Sequence, residues 1–492
     1  MSEPAIAALI KRFAEASDVT LIVGAGASME ASLPSWRELV ARLLKRVAEE
    51  NRALKNDEAK QEWVRRSLEQ DDLLAAGAVV EVMAREDLDT LLPQELYGPE
   101  GPGGYEPGPI AQQVAYLRQC YGERLVVLTT NYDDLIERAL LRRGFLNRNI
   151  KSYVRRREAL PADAVPVTHL HGFAGRTGPP KRLVLTEEHY HRMQTGSSWQ
   201  EELATERLSE SLCLFVGTSL TDPNLIRYLY GYKKAGRQHA AIFVRQGDLE
   251  GADDSVRAVR EQAVSRRWER QGVEAVFVDH FADAAQLVYE IGLRREQGED
   301  YEPTGERAGR VISGIEDIVF AAKGEKDAFA TRQVVLSAWI RALLYDTLEV
   351  ATRGAGPEDD EHLAVALWLL GEDGTTITGW VHSDRAHQDL ATVEAVPIAS
   401  ASDWVAVRAV CQGVRVELDR DNPVSRWRFV RGLPVVFDSP TRLPVGCLTV
   451  SSTKPGKESV LTKLPESAKA EFHRGLIEPI SRTFAPLLEA LA

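Results

Sequence analysis

The sequence predicts two domains: a doubly wound α/β domain built on a parallel sheet, followed by an α+β domain with an antiparallel sheet. Three observations carry this. Short β-branched runs alternate with amphipathic helical stretches through the first 280 or so residues, which is the pattern of parallel strands joined by crossover helices. From His362 onward the apolar runs come in neighbouring pairs around turn residues, as antiparallel hairpins require. Between the two patterns, EQGEDYEPTGERAG is charged, holds Pro and Gly and has no apolar period, which reads as a boundary. The expected division is therefore 1–295, a linker at 296–310, and 311–492. A length of 492 residues accommodates this, since domains average one to two hundred residues.

In the first domain, TLIVGAGAS (Thr20 to Ser28) reads as a buried strand breaking into a glycine turn. The helix after it is marked by Leu39, Val40, Leu43, Leu44 and Val47 at helical spacing. A helical stretch then runs into the Gly/Pro-rich YGPEGPGGYEPGP (Tyr97 to Pro109). IAQQVAYLRQCYG is a helix leading to RLVVLTTNYDDLIERAL, again strand, turn and helix. VPVTHLHG and SLCLFVGTSLTDPNLIRYL supply further strand ends, and AAIFV and VEAVFVD supply later buried strands. Such a Rossmann-like sheet binds ligands at the carboxyl ends of its strands. In the second domain a long helix (about Lys326 to Val350) precedes HLAVALWLL, a GEDGTT turn and ITGWVHSD. A helix around DWVAVRAVCQG, two strands around an SPT turn and a terminal amphipathic helix from Glu466 to Leu491 follow.

Composition narrows the function. The hydrophobic fraction of 44% and charged fraction of 27% are those of a folded globular chain. The net charge of -13 divides into -7 before Val311 and -6 from it. An acidic surface without a basic block argues against strong direct binding to nucleic acid or to an anionic membrane. The four cysteines, Cys120, Cys213, Cys411 and Cys447, stand too far apart for a zinc or disulfide framework. They read as buried thiols of a reducing compartment. The start Met-Ser-Glu-Pro lacks a basic, then apolar, leader, and the longest apolar run, LAVALWLL, is too short to span a membrane. A cytoplasmic location is expected.

Four polar clusters stand at successive predicted strand ends. Gly24 and Gly26 permit close approach of backbone to a phosphate ahead of a helix N-terminus, although a glycine turn also serves as a plain tight connection. Thr129, Thr130, Asn131 and Asp133 follow the second strand, where Asn and Asp are equally suited to capping a helix. His169 and His171 share a strand face ahead of Gly172. Nothing completes a metal-ligand set around them, and a neutral imidazole suits a general base. Gly217, Thr218, Ser219 and Asp222 end a further strand, again in types common at turns and caps. No acidic residue ends a second strand about 20 positions beyond the first glycine turn, so an ordinary hydride-transfer dehydrogenase is disfavoured.

Taken in order, GAGAS, LPSWREL, TTNYDDLIE, HLHG and GTSLTDPN resemble the SIR2 (sirtuin-like) family, in particular its bacterial branch in anti-phage defence proteins. The resemblance covers roughly Val19 to Asp279. It implies NAD+ as substrate and no metal. Gly24, Ala25, Gly26 and Ser28 would lie along the pyrophosphate, with Gly217, Thr218 and Ser219 near the adenosine half. Asn131, Asp133 and His171 would surround the nicotinamide ribose. Asn131 would position water and ribose, His171 would act as general base or ribose contact, and Asp133 would meet the carboxamide or the developing positive charge. Pro34 and Arg37 are what the stretch from Ser32 to Arg37 keeps of the family's Gly-Ile-Pro-Asp-Phe-Arg signature; Thr130 replaces its glutamine, and Asp222 closes the last motif. Deacylating members carry a four-cysteine module where this chain has only Cys213 between Gly172 and Gly217. The implied activity is NAD+ hydrolysis to nicotinamide and ADP-ribose in an effector of abortive infection. The alternatives are an NAD-dependent protein deacylase and a non-catalytic NAD or ADP-ribose sensor.

The second domain resembles a GAF domain through Leu433, Pro434, Gly446, Leu448 and Ser451 in its closing strands. That resemblance implies a sensor, regulatory or dimerising module, an unidentified trigger or protein partner, and a homo-oligomer. Trp368, Trp380 and Trp404 read as core residues.

Overall fold

The computed structural model describes residues 3–70, 72–84, 88–155, 161, 163–176, 180–193, 198–232, 238–245, 253–303, 326–354, 356–357, 360–371, 375–388, 393–398, 402–420, 425–436 and 444–491. The second part of the expected linker, 304–310, and the tips of the two expected turns, 372–374 and 439–441, lie outside them. The chain divides into two compact units that meet in sequence near Gly298, apart from two short segments before it.

The first unit is a parallel sheet of seven strands: β1 (Val19–Val23), β2 (Leu125–Thr129), β3 (Ile150–Tyr153), β4 (Val165–His169), β5 (Leu212–Val216), β6 (His239–Val244) and β7 (Val273–Val278). Their spatial order is β3-β4-β2-β1-β5-β6-β7, all parallel. β1 and β5 are buried along their whole length and, Thr20 apart, apolar, as strands covered by helices on both faces must be. Ile22, Leu128 and Phe215 join the helices Trp199–Glu210 and Pro223–Gly231 in one core. Leu39, Val40, Leu43 and Leu44 of the helix Trp36–Glu50 pack with the helices Leu73–Met83 and Leu88–Tyr97 in another. This is the expected doubly wound, Rossmann-like architecture. β3 carries no continuous apolar run and was not legible from periodicity.

The second unit holds an antiparallel sheet of six strands: β8 (Leu363–Leu370), β9 (Thr376–His382), β10 (Ala395–Pro397), β11 (Val416–Asp419), β12 (Phe429–Val436) and β13 (Pro444–Ser452). The order is β10-β9-β8-β13-β12-β11. Both predicted strand pairs form, β8 with β9 and β12 with β13. The helices Lys326–Thr352 and Glu466–Leu491 pack on one face through Ile340, Leu344 and Leu348 against Phe472, Leu476 and Ile480. The helix Val405–Gln412 lies on the other, closed by Gly413 at φ +67°, the left-handed C-terminal turn glycine favours. Trp368 and Trp380 are buried as expected. Trp404 departs from the expectation: it stands at the N-terminus of that helix, 36% exposed.

Candidate functional site

The registers put four strand ends level. Val23 lies beside Thr129 on one side and Val216 on the other, and Thr129 lies beside His169. The residues that follow, Gly24, Thr130, Leu170 and Gly217, therefore emerge along one edge. That edge contains the switch point, because the chain runs outward from β1 through β2 to β4 and β3 and then returns to β5 on β1's other side. A crevice at such a reversal is where open α/β sheets bind ligands.

Glycine is required here because two backbones touch. A Cβ on Gly26 would lie 2.8 Å from the Gly217 Cα, and one on Gly24 would lie 2.7 Å from both the Gly217 carbonyl oxygen and the Thr218 Cβ. Gly217 itself sits at φ +66°, where a side chain is strained. Gly24 N–H donates to the Val216 carbonyl (3.0 Å) and Gly26 N–H to the Gly217 carbonyl (2.7 Å). The helix after the turn is only Gly26–Met29. The long helix Trp36–Glu50 begins further on, closed by a Ser35/Glu38 capping box. The expected picture of a long helix N-terminus opening directly from the glycine turn is thus corrected: the turn is closed on β5.

Asn131 is the centre of the polar network. Its Nδ2 donates to the Gly24 carbonyl (3.0 Å) and to Ser28 Oγ (2.7 Å), and Ser28 Oγ donates to Asp133 Oδ2 (2.6 Å). All three side chains are buried, and Asn131 Oδ1 has no partner. Asp133 Oδ1 accepts the Leu135 N–H (3.1 Å) at the start of the helix Leu135–Arg142. Both oxygens of Asp133 are thus engaged inside the protein, in the cap-like role its residue type allowed, and burial raises its pKa.

The two histidines, which period-two spacing put on one face, have separate duties. His169 bonds the Asn131 carbonyl through Nδ1 (2.8 Å) and Glu137 through Nε2 (2.9 Å). Burial pulls its pKa down, but the Glu137 charge and the hydrogen bonds outweigh that and the net shift is upward. His171 lies with its Nε2 3.6 Å from Asp222 Oδ2, edge-on to Tyr190, whose hydroxyl donates to the same oxygen (2.6 Å). Burial lowers the His171 pKa, and Asp222 opposes this. Asp222 Oδ1 caps the helix Pro223–Gly231. The segment around Val184 joins the two groups: its N–H donates to the His171 carbonyl (2.8 Å), and its carbonyl accepts from the Tyr132 hydroxyl (2.7 Å).

Of the expected residues, Gly24, Ala25, Gly26, Ser28, Thr130, Asn131, Asp133, Gly217 and Thr218 form this edge, with His171 and Asp222 alongside. Thr130 donates its N–H to the Val23 carbonyl (3.1 Å). Pro34 is buried beneath the turn's exit and Ser219 is exposed, bonded to Thr221 (2.7 Å). Arg37 is exposed and donates to the Leu68 carbonyl (3.2 Å), tying two helices together. Glu137, Tyr190, Tyr132 and Val184 carry no signal in the sequence, because their partners lie tens of residues away; His169, read with His171 as a candidate base, is instead bonded to the Asn131 carbonyl and Glu137. Among the described residues no group of three or more His, Cys, Asp or Glu could hold a metal ion, and no helix is long and apolar enough to cross a membrane.

The family model for the SIR2-like domain matches residues 125–276, from β2 to β7. The chain carries a SIR2-like domain. Over 180 residues it is 28% identical to the NAD(+) hydrolase ThsA of Acinetobacter baumannii (strain 532279), a match covering 34% of this chain and 35% of that protein. The chain thus matches about a third of that relative's length. Solved structures similar to the chain include a Sir2 homologue mutant with ADP ribose (15% identity, TM-score 0.29, 61% of this chain and 99% of that one). A Sir2 homologue with NAD is another (16%, 0.27, 59% and 94%). The SIR2-like domain includes Asn131, His171 and the Gly217 turn, while the Gly24–Ser28 turn precedes the matched residues.

Proposed function

We propose that the SIR2-like domain is an NAD+ glycohydrolase, releasing nicotinamide and ADP-ribose. The observation that carries this is Asn131: its amide nitrogen is held by Gly24 and Ser28, so its unpartnered buried Oδ1 is fixed in place. A fixed acceptor at the switch point suits a water or a ribose hydroxyl. The dinucleotide would cross the edge with its pyrophosphate over Gly24–Ser28 and its adenosine half toward Gly217, Thr218 and Ser219. The C1′–N bond breaks with its electron pair leaving on nicotinamide, which departs neutral. Water attacks the cationic C1′ and its proton passes to His171, whose depressed pKa keeps the imidazole neutral and whose protonated form Asp222 stabilises. Asp133, turned inward, positions Ser28 and thereby Asn131 rather than touching the substrate. The second unit would be a GAF-like sensor that restrains this activity until an infection signal or partner arrives, in a cytoplasmic homo-oligomer acting in abortive infection. The ThsA match and the order of the motifs support this reading.

The test is incubation of the full chain with NAD+, alone and with extract of phage-infected cells, measuring nicotinamide and ADP-ribose. Release of both is expected, and Asn131→Ala should lower kcat by about two to three orders of magnitude. Because His171 titrates below the usual histidine range, kcat/KM should be flat above about pH 6.5 and fall only in more acid solution. Nicotinamide release that requires an acyl-lysine peptide would instead indicate a deacylase. NAD+ that raises the melting temperature and is recovered intact would indicate a sensor.

A further inference from the structure

β8 is asymmetric. Leu363, Val365, Leu367 and Leu369 face the long helices, whereas Ala364, Ala366 and Trp368 face the opposite side. The helix Val405–Gln412 covers that opposite side only in part, and the two alanines leave a hollow beside it. The result is a cavity of about 260 Å³. Its walls are aromatic: Trp368 and Trp404 meet edge to face at 5.5 Å, and Trp427 joins them. Thr449, Ser451 and His382 supply polar groups, with Thr449 Oγ1 accepting the Trp368 indole N–H (3.0 Å).

The charges at the cavity are unequal. Asp384 is paired with Arg426, and Glu394 lies 3.7 Å from Arg385. Arg420 lines the same cavity, half-buried, and no carboxylate pairs with its guanidinium among the described residues. Among the described residues the site therefore offers flat apolar walls and one cation that no carboxylate pairs. Its volume lies below the roughly 300–1,000 Å³ of pockets for drug-sized ligands, which excludes a dinucleotide and favours a single ring system.

We infer that this cavity binds a small planar aromatic carboxylate, its ring against Trp404 and Trp427 and its anionic group on Arg420. Ring stacking on indole and a charge-assisted contact to a guanidinium are the interactions these residues provide. The inference does not depend on the NAD+ reading. The probe is indole-3-acetate, with neutral indole-3-acetamide as control, added to full chain carrying nitrogen-15 in its nine tryptophans. Indole N–H resonances are assigned by single Trp→Phe variants. Indole-3-acetate should shift Trp368, Trp404 and Trp427 saturably and leave Trp36, Trp199 and Trp268 in place. Arg420→Ala should weaken binding about tenfold or more, to the level the amide shows with wild type. Ala366→Leu, which fills the hollow, should abolish it. Arg420 is partly exposed, so its variant keeps the test decisive should Ala366→Leu fail to fold. No shift of the three resonances at millimolar probe, or equal affinity for acid and amide, overturns the proposal.

Discussion

The two sheets use their faces in opposite ways. In the first unit helices cover both faces, so polar chemistry is confined to the edge where strands end. There almost every polar group is spent on a neighbour: Asn131 on Gly24 and Ser28, Ser28 on Asp133, His169 on Glu137. In the second unit one face is fully covered and the other is hollowed by Ala364 and Ala366. A parallel sheet concentrates function at its rim, whereas an antiparallel sheet can hold it on a face. The difference also separates what stabilises each unit, and four perturbations test it.

The largest expected effect is acid on the second unit. His382 is pushed down to about 4, mainly by burial and then by Arg385, and His473 to about 3, by burial and then Arg431. Between the ordinary histidine value near 6.5 and those values the unfolded chain binds protons that the folded unit refuses. Stability is therefore complete above about pH 6.5 and falls as pH drops toward 4, by up to about 1.4 kcal/mol per pH unit for each histidine. Buried Cys411 and Cys447 report on this unit and buried Cys213 on the other. Labelling with a dipyridyl disulfide, which reacts in acid, should open Cys411 and Cys447 at lower urea as pH falls from 6.5 to 4.5. An unchanged urea midpoint for these two cysteines would break the assignment.

Next is the rim. Gly217→Ala places a Cβ at positive φ, 2.8 Å from the Ala27 nitrogen. It should cost about 2–4 kcal/mol by urea denaturation, read at Cys213, and remove the proposed NAD+ turnover with it. Smaller is the loss at Arg431, fully buried between Glu417 (2.8 Å) and His473 (3.3 Å). Glu417→Ala should destabilise by about 2 kcal/mol, since it takes a carboxylate at 2.8 Å away from a fully buried guanidinium. Arg431→Met should cost less, because it removes the charge altogether. It should also raise the His473 pKa, which narrows the acid-sensitive window. A greater loss from Arg431→Met than from Glu417→Ala would reverse this ranking.

Legibility in the sequence follows the same division. Strands with continuous apolar runs and the glycines between them are local patterns, so the first unit's rim could be located from motifs. β3 and the short edge strands β10 and β11 lack such runs. The Tyr132–Val184, Glu137–His169 and Tyr190–Asp222 bonds join residues about 30 to 50 positions apart, and no period records them. The fate of Asp133 was open between ligand and cap until its two oxygens were seen engaged. In the second unit β8 reads as a uniform apolar strand. That Ala364 and Ala366 leave a hollow while Leu363 and Val365 fill a core depends on which helices cover each face.

The smallest effect tests whether the first unit carries a buried acid cost opposite in sign to the second unit's histidines. Glu30 follows the glycine turn, accepts the Ile110 N–H at 2.7 Å, and has its other oxygen buried without a partner. Burial holds its pKa well above the ordinary carboxylate value, against the smaller pull of that hydrogen bond. The folded unit therefore keeps a proton the unfolded chain has released, so this group favours folding most in acid and progressively less as pH rises through its folded value. Glu30→Gln keeps the acceptor for Ile110 and removes the ionisation. Relative to wild type it should be neutral near pH 5 and more stable by about 1 kcal/mol near pH 8, measured by urea denaturation read at Cys213. A gain that is the same at both pH values would mean that shape rather than charge limits this position, and the contrast between a first unit weakened by alkali and a second unit weakened by acid would lose its first half.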